Sequence, residues 1–554
     1  MSATSTTSPP DRFVGHANLM SALTILSRIA GLLRDKVCSY FIGVGNPVWG
    51  AFWMGFQLPN LFRRLFGEGA LTAIFLPIYT RTLEEEGQVA ASRLASATCT
   101  ALVLLLGTIT SVGELIAVPL AFLAQEPNNR LAAAMTAIML PYCMMVCLVA
   151  ILGAIATVHE RFAQQALSPV ILNIFWAAGA AVPVAVFGSS YDVQHRVYWI
   201  AGAILFAGLV QIALMLRPLS QSGVRLRPFW DLRHPGIREI IAAMLPILLG
   251  TSAVIINVYL DGQIAWWLSP DGHGNRDSFQ FLSWTIHTPM GHGANGIFSV
   301  AQRIYLLPVG IFGVSLATAL FPLMTKAANS NDIPELKRLI ASGLRKSLFL
   351  SIPASFGMIL IAKPLITLIY LGGKAVPDDI DRAAWATIFF CLGVWAFEMQ
   401  MVLLRVFYAL RDVRTPMRIA LIMIVLNLAL SLSLVWHLQE GGIALATTLA
   451  AVIQSAILLA ILHKRLGLLG LRSIAAALGR SLLATTLMVA AGLLLLRIPL
   501  LWPPPDSRIL TALVKLPLVV IACAGVYFVL MRLLKAPEIQ DVPLLNRLFR
   551  KNSI

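Results

Sequence analysis

Apolar stretches of more than twenty residues recur fourteen times along this chain. They lie at roughly 18–42, 47–80, 91–124, 131–158, 166–187, 196–216, 238–268, 296–325, 340–371, 383–410, 416–437, 441–462, 473–496 and 509–533. A helix needs about 20 apolar residues to cross the hydrocarbon core of a bilayer, so each stretch is a candidate span. Only 12% of the 554 residues are charged and 58% are hydrophobic, whereas soluble domains carry about 25% charge. The expected fold class is therefore an all-α polytopic membrane protein with fourteen transmembrane helices. The first seventeen residues are polar and Ser/Thr-rich, without the basic segment and small-residue cleavage site of a signal peptide, so no cleavage is expected.

The net charge of +16 follows the topology and is not read as a nucleic-acid surface. With the N-terminus inside, the inner loops and tails take about 26 of the 42 Lys and Arg, the outer loops about nine and the spans about seven. That is the positive-inside bias, and it places both termini in the cytoplasm. The expected organisation is a tail (1–17), an N-lobe of six helices (18–216), a basic cytoplasmic loop (217–237), a C-lobe of six helices (238–464) with an outer loop (269–295), two further helices (465–534) and a basic cytoplasmic tail (535–554). The six cysteines all fall inside apolar spans, where packing is the natural reading and no disulfide is expected.

The stretch 27–81 carries most of the chemistry. Arg28, Arg34, Arg63 and Arg64 lie in its two spans, with Asp35 and Glu68 as the nearby acids. An ionisable residue at mid-bilayer costs roughly 2.5–3.5 kcal/mol on insertion scales. Four arginines in two spans therefore call for a water-filled cavity or an anionic ligand. Ser27 and Arg34 share one helical stripe, and Arg28 and Asp35 the adjacent one. Pro59 is expected to interrupt the second span ahead of Arg63 and Arg64. Arg64 and Glu68 are an i,i+4 pair suited to a local ion pair, which leaves Arg63 as the better cavity residue.

Polar residues elsewhere are sparser. Asn173 in span five reads as interhelical glue. Glu398 and Arg405 share a face of span ten, seven residues apart, and are expected to neutralise each other. Asn257 and Asp261 in span seven, Asn427 and Ser431 in span eleven, and Thr447 in span twelve read as interhelical packing residues; their oxygens holding a small cation is the alternative. The outer loop 269–295 contains His273, His287 and His292 at spacings that match no zinc signature, and reads as a solvated loop with an aromatic patch. The acidic loop around Asp378, Asp379 and Asp381 reads as solvated. No Gly-x-Ser-x-Gly elbow, P-loop or HExxH occurs, so an enzyme is not expected.

An internal repeat relates LTAIFLPIYTR (71–81) to LATALFPLMTK (316–326), 245 residues on, and more weakly Asn173 to Asn427. An offset of six spans preserves orientation, which predicts two six-helix lobes related by a parallel repeat.

SRIAGLLRD, AFWMGFQLPNLFRRLFGEGALTAIFLPIYT, ALSPVILN, QRIYLLPVGIFGVSLATALFP and FYALRDVRTP together resemble the lipid II flippase family (MurJ/MviN) of the multidrug/oligosaccharidyl-lipid/polysaccharide exporter superfamily. The resemblance covers nearly the whole chain. It implies fourteen helices, with two lobes forming a V and the last two helices lining a lipid groove. It also implies export of the undecaprenyl-pyrophosphate-linked peptidoglycan precursor, lipid II, across a bacterial cytoplasmic membrane. By motif position it implies substrate-binding roles for Arg28, Arg34, Arg63 and Arg303, with Ser27, Asp35 and Glu68 beside them and Arg345 as a further basic position. It also points to a sodium site at Asn427, Ser431 and Thr447, although Ser431 stands where family members with that site have a carboxylate. Coupling is then to Na+ or to the membrane potential, with no other cofactor. Membrane lipids and proteins of cell-wall synthesis are the expected partners. The chain departs from the family in having Gly50, Gln302 and Leu306 where acids are common. Two alternatives remain at this stage: export of another lipid-linked oligosaccharide, and a membrane enzyme acting on polyprenyl phosphates.

Overall fold

The computed structural model describes residues 9–67, 70–231, 235–467, 469–497 and 508–541. The chain is mostly helical and divides into two compact units, Met1–Gly296 with Gly372–Val376, and Ile297–Leu371 with Pro377–Ile554. The division falls within the segment assigned above to the C-lobe, so residues 238–296 pack with the first unit.

The first unit contains α1 (Pro9–Phe41), α2 (Pro47–Phe62), α3 (Ala70–Glu85), α4 (Gly87–Leu123), α5 (Pro127–Val158), α6 (Phe162–Phe187), α7 (Val193–Gln221) and α8 (Pro235–Trp267). Helix α2 starts where its sequence directs. The Asn46 side chain accepts from the Val48 amide at 2.9 Å and Pro47 occupies the first turn. Its core is aromatic: Phe52 and Phe56 pack on Trp176 of α6, with ring centroids 5.5 and 4.9 Å away. Each such pair contributes about 0.5–1.5 kcal/mol beyond area burial, which matters in lipid, where helices gain little from hydrophobic transfer.

The basic loop after α7 is tied down by hydroxyls on α4. Ser92, Ser96 and Thr100 accept from the amides of Arg225, Arg227 and Phe229 at 3.4, 3.1 and 3.1 Å. Four helical residues rise about 6 Å and two extended residues about 6.6 Å, so the two periodicities match. At the other end of the unit the buried Arg196 donates to the carbonyls of Phe41, Ser189 and Tyr191 at 2.6, 2.7 and 2.5 Å, closing the C-terminus of α1.

The second unit holds most of α9 (Ala294–Pro308), then α10 (Val314–Asn329), α11 (Ile333–Tyr370), α12 (Pro377–Cys391), α13 (Val394–Ala409), α14 (Arg414–Leu438), α15 (Glu440–Leu466), α16 (Leu471–Arg497) and α17 (Arg508–Leu533). Tyr527 of α17 donates to the Phe349 carbonyl of α11 at 2.8 Å, which fixes the last helix. Among the described residues, ten helices are long and apolar enough to cross a membrane, with the α9–α10 run taken as one; the α12–α13 pair, bent by 43°, makes eleven. The chain is thus a multi-pass membrane protein. Helix α1, the α2–α3 run and α8 fall outside that set; α1 carries internal charges, and α2 and α3 have only 16 residues each.

Several expectations change. The second span is not broken at Pro59: α2 runs through it to Phe62, and the irregularity is a π-turn at Arg63–Gly67. Proline disturbs the carbonyl four residues before it and leaves the following turn intact. A second π-turn, Val309–Gly313, joins α9 to α10. The outer loop is not simply solvated. It forms a short hairpin, β1 (Ser278–Phe281) with β2 (Trp284–His287), pairing Ser278 with His287 and Phe281 with Trp284. Its two ends are buried at Ser269, Asp271, Met290 and Asn295, while Leu282 and Trp284 at the tip are exposed. Nor is the acidic stretch at 378–381 merely solvated, since it opens α12, buries Asp379 and pairs Asp381 with Lys363 at 2.6 Å.

Candidate functional site

Arg34 of α1 is held against α6. Arg34 donates from Nε and Nη2 to Oδ1 of Asp35 at 2.9 and 2.7 Å, and its guanidinium lies 4.5 Å from the centre of the Trp176 ring. One turn before Trp176, Asn173 donates to the Ser27 carbonyl at 3.2 Å. Asn173 and Trp176 are three apart on one face of α6, so together they grip α1 at Ser27 and at Arg34. A Cβ on Gly31 would stand 3.5 Å from the Asn173 amide nitrogen, so that position lies in ordinary contact with α6. Arg34 and Asp35 are only 14% and 9% exposed, whereas Arg28 is exposed and makes no ion pair among the described residues.

Arg63 and Arg64 open the π-turn. Arg63 donates to the Asn60 side chain at 3.1 and 2.9 Å, a bond that π-turn geometry aims back along α2. π-Turns concentrate at functional sites. Glu68, the expected partner of Arg64, lies outside the described residues. The described part of this region thus carries four arginines against one acid, Asp35.

The departure at Gly50 has a structural counterpart. A Cβ there would stand 3.1 Å from Oδ2 of Asp271. That carboxylate is fully buried and accepts from the Gly293 amide at 2.9 Å, with His292 Nδ1 2.9 Å from its other oxygen. The loop between α8 and α9 thus supplies an acid beside Gly50.

In the second unit Arg303 lies half-buried on α9. Arg345 of α11 does not stand alone: Glu538, buried after α17, lies 3.7 Å from it and 3.5 Å from Arg480 of α16. Just beyond this cluster is an apolar cavity of about 330 Å³, lined by Phe349 and Pro353 of α11, Met488 of α16 and Tyr527 and Phe528 of α17. The expected Glu398–Arg405 pair does not form. Seven helical residues rise about 10.5 Å, and Arg405 instead lies 5.2 Å over the Phe321 ring. Asn427 and Ser431 are both buried on α14, and Thr447 of α15 donates to the Ile443 carbonyl at 3.1 Å. The Ser431 hydroxyl is buried without a hydrogen-bond partner among the described residues, an orphaned oxygen that suits a cation ligand. Asp261 is buried on α8, in the first unit.

Trp176, Arg196, Asp271, Arg480 and Glu538 escape the sequence reading. Only Arg196 carried a local signal, a lone arginine opening an apolar helix. The others become visible only through their partners.

A sequence model described as lipid II flippase MurJ matches residues 38–504. The chain is 29% identical over 439 residues to a probable lipid II flippase MurJ of Rickettsia prowazekii, covering 78% of this chain and 80% of that one. To the lipid II flippase MurJ of Burkholderia cenocepacia it is 27% identical over 456 residues, covering 80% and 83%. Its fold is similar to a solved lipid II flippase MurJ in an inward closed conformation, with a TM-score of 0.69 at 19% identity over 93% of this chain and 98% of that one. It is also similar to an inward-facing MATE family multidrug transporter, with a TM-score of 0.61 at 13% identity over 82% and 99%. With a match that runs through most of its spans and includes the π-turn arginines, the chain belongs to the lipid II flippase MurJ family.

Proposed function

We propose that this protein moves lipid II from the inner to the outer leaflet of a bacterial cytoplasmic membrane by alternating access, and that it is a transporter with no catalytic step. The observation that carries the reading is the Arg34 guanidinium, braced by Asp35 and Trp176 within an arginine-rich part of a membrane-spanning unit. A pyrophosphate in a low-dielectric cleft calls for guanidinium groups, which keep their charge and bind phosphate bidentately. Arg28, Arg34 and Arg63 are the proposed contacts on the first unit, with Arg303 as a further contact and Arg64 and Glu68 beside them. The apolar cavity against α16 and α17 suits the polyprenyl chain. In this reading both termini lie in the cytoplasm, and fourteen spans arranged as two repeated lobes plus α16 and α17 complete the scheme.

An inside-negative potential favours outward movement of an anion by about 2.3 kcal/mol per charge per 100 mV, which supports coupling to the membrane potential. A sodium ion would be held by Asn427, Ser431 and Thr447, all oxygen donors, and would offset the dipoles buried there.

The test is single replacement of Arg28, Arg34, Arg63 and Arg303 by Ala and by Lys, with membrane insertion confirmed, in cells depleted of their own flippase. Loss of outward lipid II movement on Ala, poorly restored by Lys, supports a bidentate pyrophosphate site. Undiminished export by every variant, or none by the wild type, overturns the reading.

A further inference from the structure

The most unusual charged group in the second unit is Glu398. It is fully buried on α13, and neither carboxylate oxygen has a hydrogen-bond partner or an ion pair among the described residues. Its side chain packs on the π-turn Val309–Gly313: a Cβ on Gly313 would stand 2.9 Å from Glu398 Cγ, so glycine is what admits the carboxylate there. One turn further along, α13 packs on α11. A Cβ on Gly343 would meet Val402 Cγ1 at 3.2 Å. The chain reverses between the two helices, so one turn on along α11 corresponds to one turn back along α13, and Ser347 comes level with Glu398. The hydroxyls of Ser347 and of Ser351 are fully buried and also lack hydrogen-bond partners among the described residues.

The charged groups on the surrounding elements are committed elsewhere or lie at other levels. Arg405, on the same helix, sits over Phe321. On α11, Arg345 is paired with Glu538, and Lys346 is turned about 100° from Ser347. Lys326 lies in the last turn of α10. On α15, Glu440 is paired with Arg382, Arg465 with Asp412, and His463 and Lys464 lie in the final turn. Arg414 and Arg418 open α14. Arg303 lies ten residues before Gly313, roughly 15 Å along the helix.

An ionised carboxylate buried without a counter-charge or hydrogen bonds is strongly disfavoured. A neutral acid is tolerated and can donate to a nearby hydroxyl. We propose that Glu398 is a proton-binding site that links the packing of α13 against the Val309–Gly313 turn to pH. In the packed state it holds the proton as a carboxylic acid. When α13 parts from the turn and water enters, the O–H bond breaks, the proton passes to water and the hydrated carboxylate remains. Proton binding from water reverses the step. This lies outside the arginine site and does not depend on the cargo.

The experiment is infrared difference spectroscopy on the purified full chain in lipid nanodiscs, titrated through neutral pH, for the wild type and for Glu398→Gln. The expected result is a carboxylic-acid carbonyl band in the wild type at neutral pH, where exposed carboxyls are ionised, and its loss in E398Q. Thermal unfolding of E398Q should match the wild type, since the amide mimics the protonated acid. Should E398Q fail to fold, the wild-type spectrum alone decides, because absence of an acid band at neutral pH overturns the proposal. Superimposable spectra of the two proteins also overturn it. So does a band that sodium abolishes at fixed pH, which would make the site a metal site. A second arm measures export against pH, with a pH dependence expected in the wild type and lost in E398Q. The spectroscopic arm stands whether or not lipid II is the cargo.

Discussion

Replacing Arg34 by lysine tests the site most directly, because charge is kept while geometry is lost. Arg34 spends one hydrogen each of Nε and Nη2 on Asp35 and sits 4.5 Å from the centre of the Trp176 ring, which leaves its Nη1/Nη2 edge for a bidentate ligand. Charge-assisted hydrogen bonds contribute about 1.5–3 kcal/mol, and a desolvated cation–π contact about 2 kcal/mol. Lysine can retain one bond to Asp35 and part of the ring contact, but not both together with an oriented donor. The expected loss is about 2 kcal/mol, or about thirtyfold in affinity at tenfold per 1.4 kcal/mol. Equilibrium binding of lipid II to purified R34K, with thermal unfolding as a folding control, measures it. Trp176→Leu should weaken binding in the wild type and have a smaller effect in the R34K background, with a coupling of about 1 kcal/mol. Binding of R34K within twofold of wild type, or equal effects of W176L in both backgrounds, would refute the idea that the ring and Asp35 orient the guanidinium.

Gly50→Asp should destabilise this protein by several kcal/mol, because its Cβ would stand 3.1 Å from Oδ2 of buried Asp271 and bring a second carboxylate against it. Thermal unfolding should fall for G50D and recover in G50D with Asp271→Asn; a stable single variant would show that the buried Asp271 carboxylate does not exclude a second acid there. Arg196→Met should lower the unfolding temperature, since it strips three carbonyls of their donor at about 1–3 kcal/mol for each that stays buried. Asp412, in the loop between α13 and α14, is partly buried, which alone would raise its pKa. The Thr415 hydroxyl and amide and the Arg465 guanidinium outweigh this and hold it at about 2. Its folded pKa lies below the ordinary 3.8, so its stabilisation is present above that value and lost as pH falls through about 2. Acid unfolding of Asp412→Asn should lack that component while its stability at neutral pH is reduced.

What could be read from the chain was whatever is written locally. Long apolar runs mark spans because the bilayer sets a length that any twenty-residue window reports. Arg28, Arg34 and Arg63 stand out because charge inside such a run is costly wherever the helix packs. The motifs FQLPNLFRRLFGEGA and SRIAGLLRD were enough to bring the family into view. Partnerships were less legible. Periodicity put Glu398 and Arg405 on one face, yet side-chain reach sent the arginine to Phe321 and left the acid against a π-turn that no pattern announced. The same holds for Arg345, whose nearest acid, Glu538, lies 193 residues away in sequence.

Class, spans and the basic stretch in the first two of them were therefore determined by the sequence itself, since each follows from the free energy of short segments in lipid. Tertiary structure alone decided that Trp176 braces Arg34, that Asp271 fills the space beside Gly50, and that Glu398 is enclosed without a partner among the described residues. Those outcomes depend on which faces of distant helices meet within a few ångströms, a property of the packed chain that no local window contains.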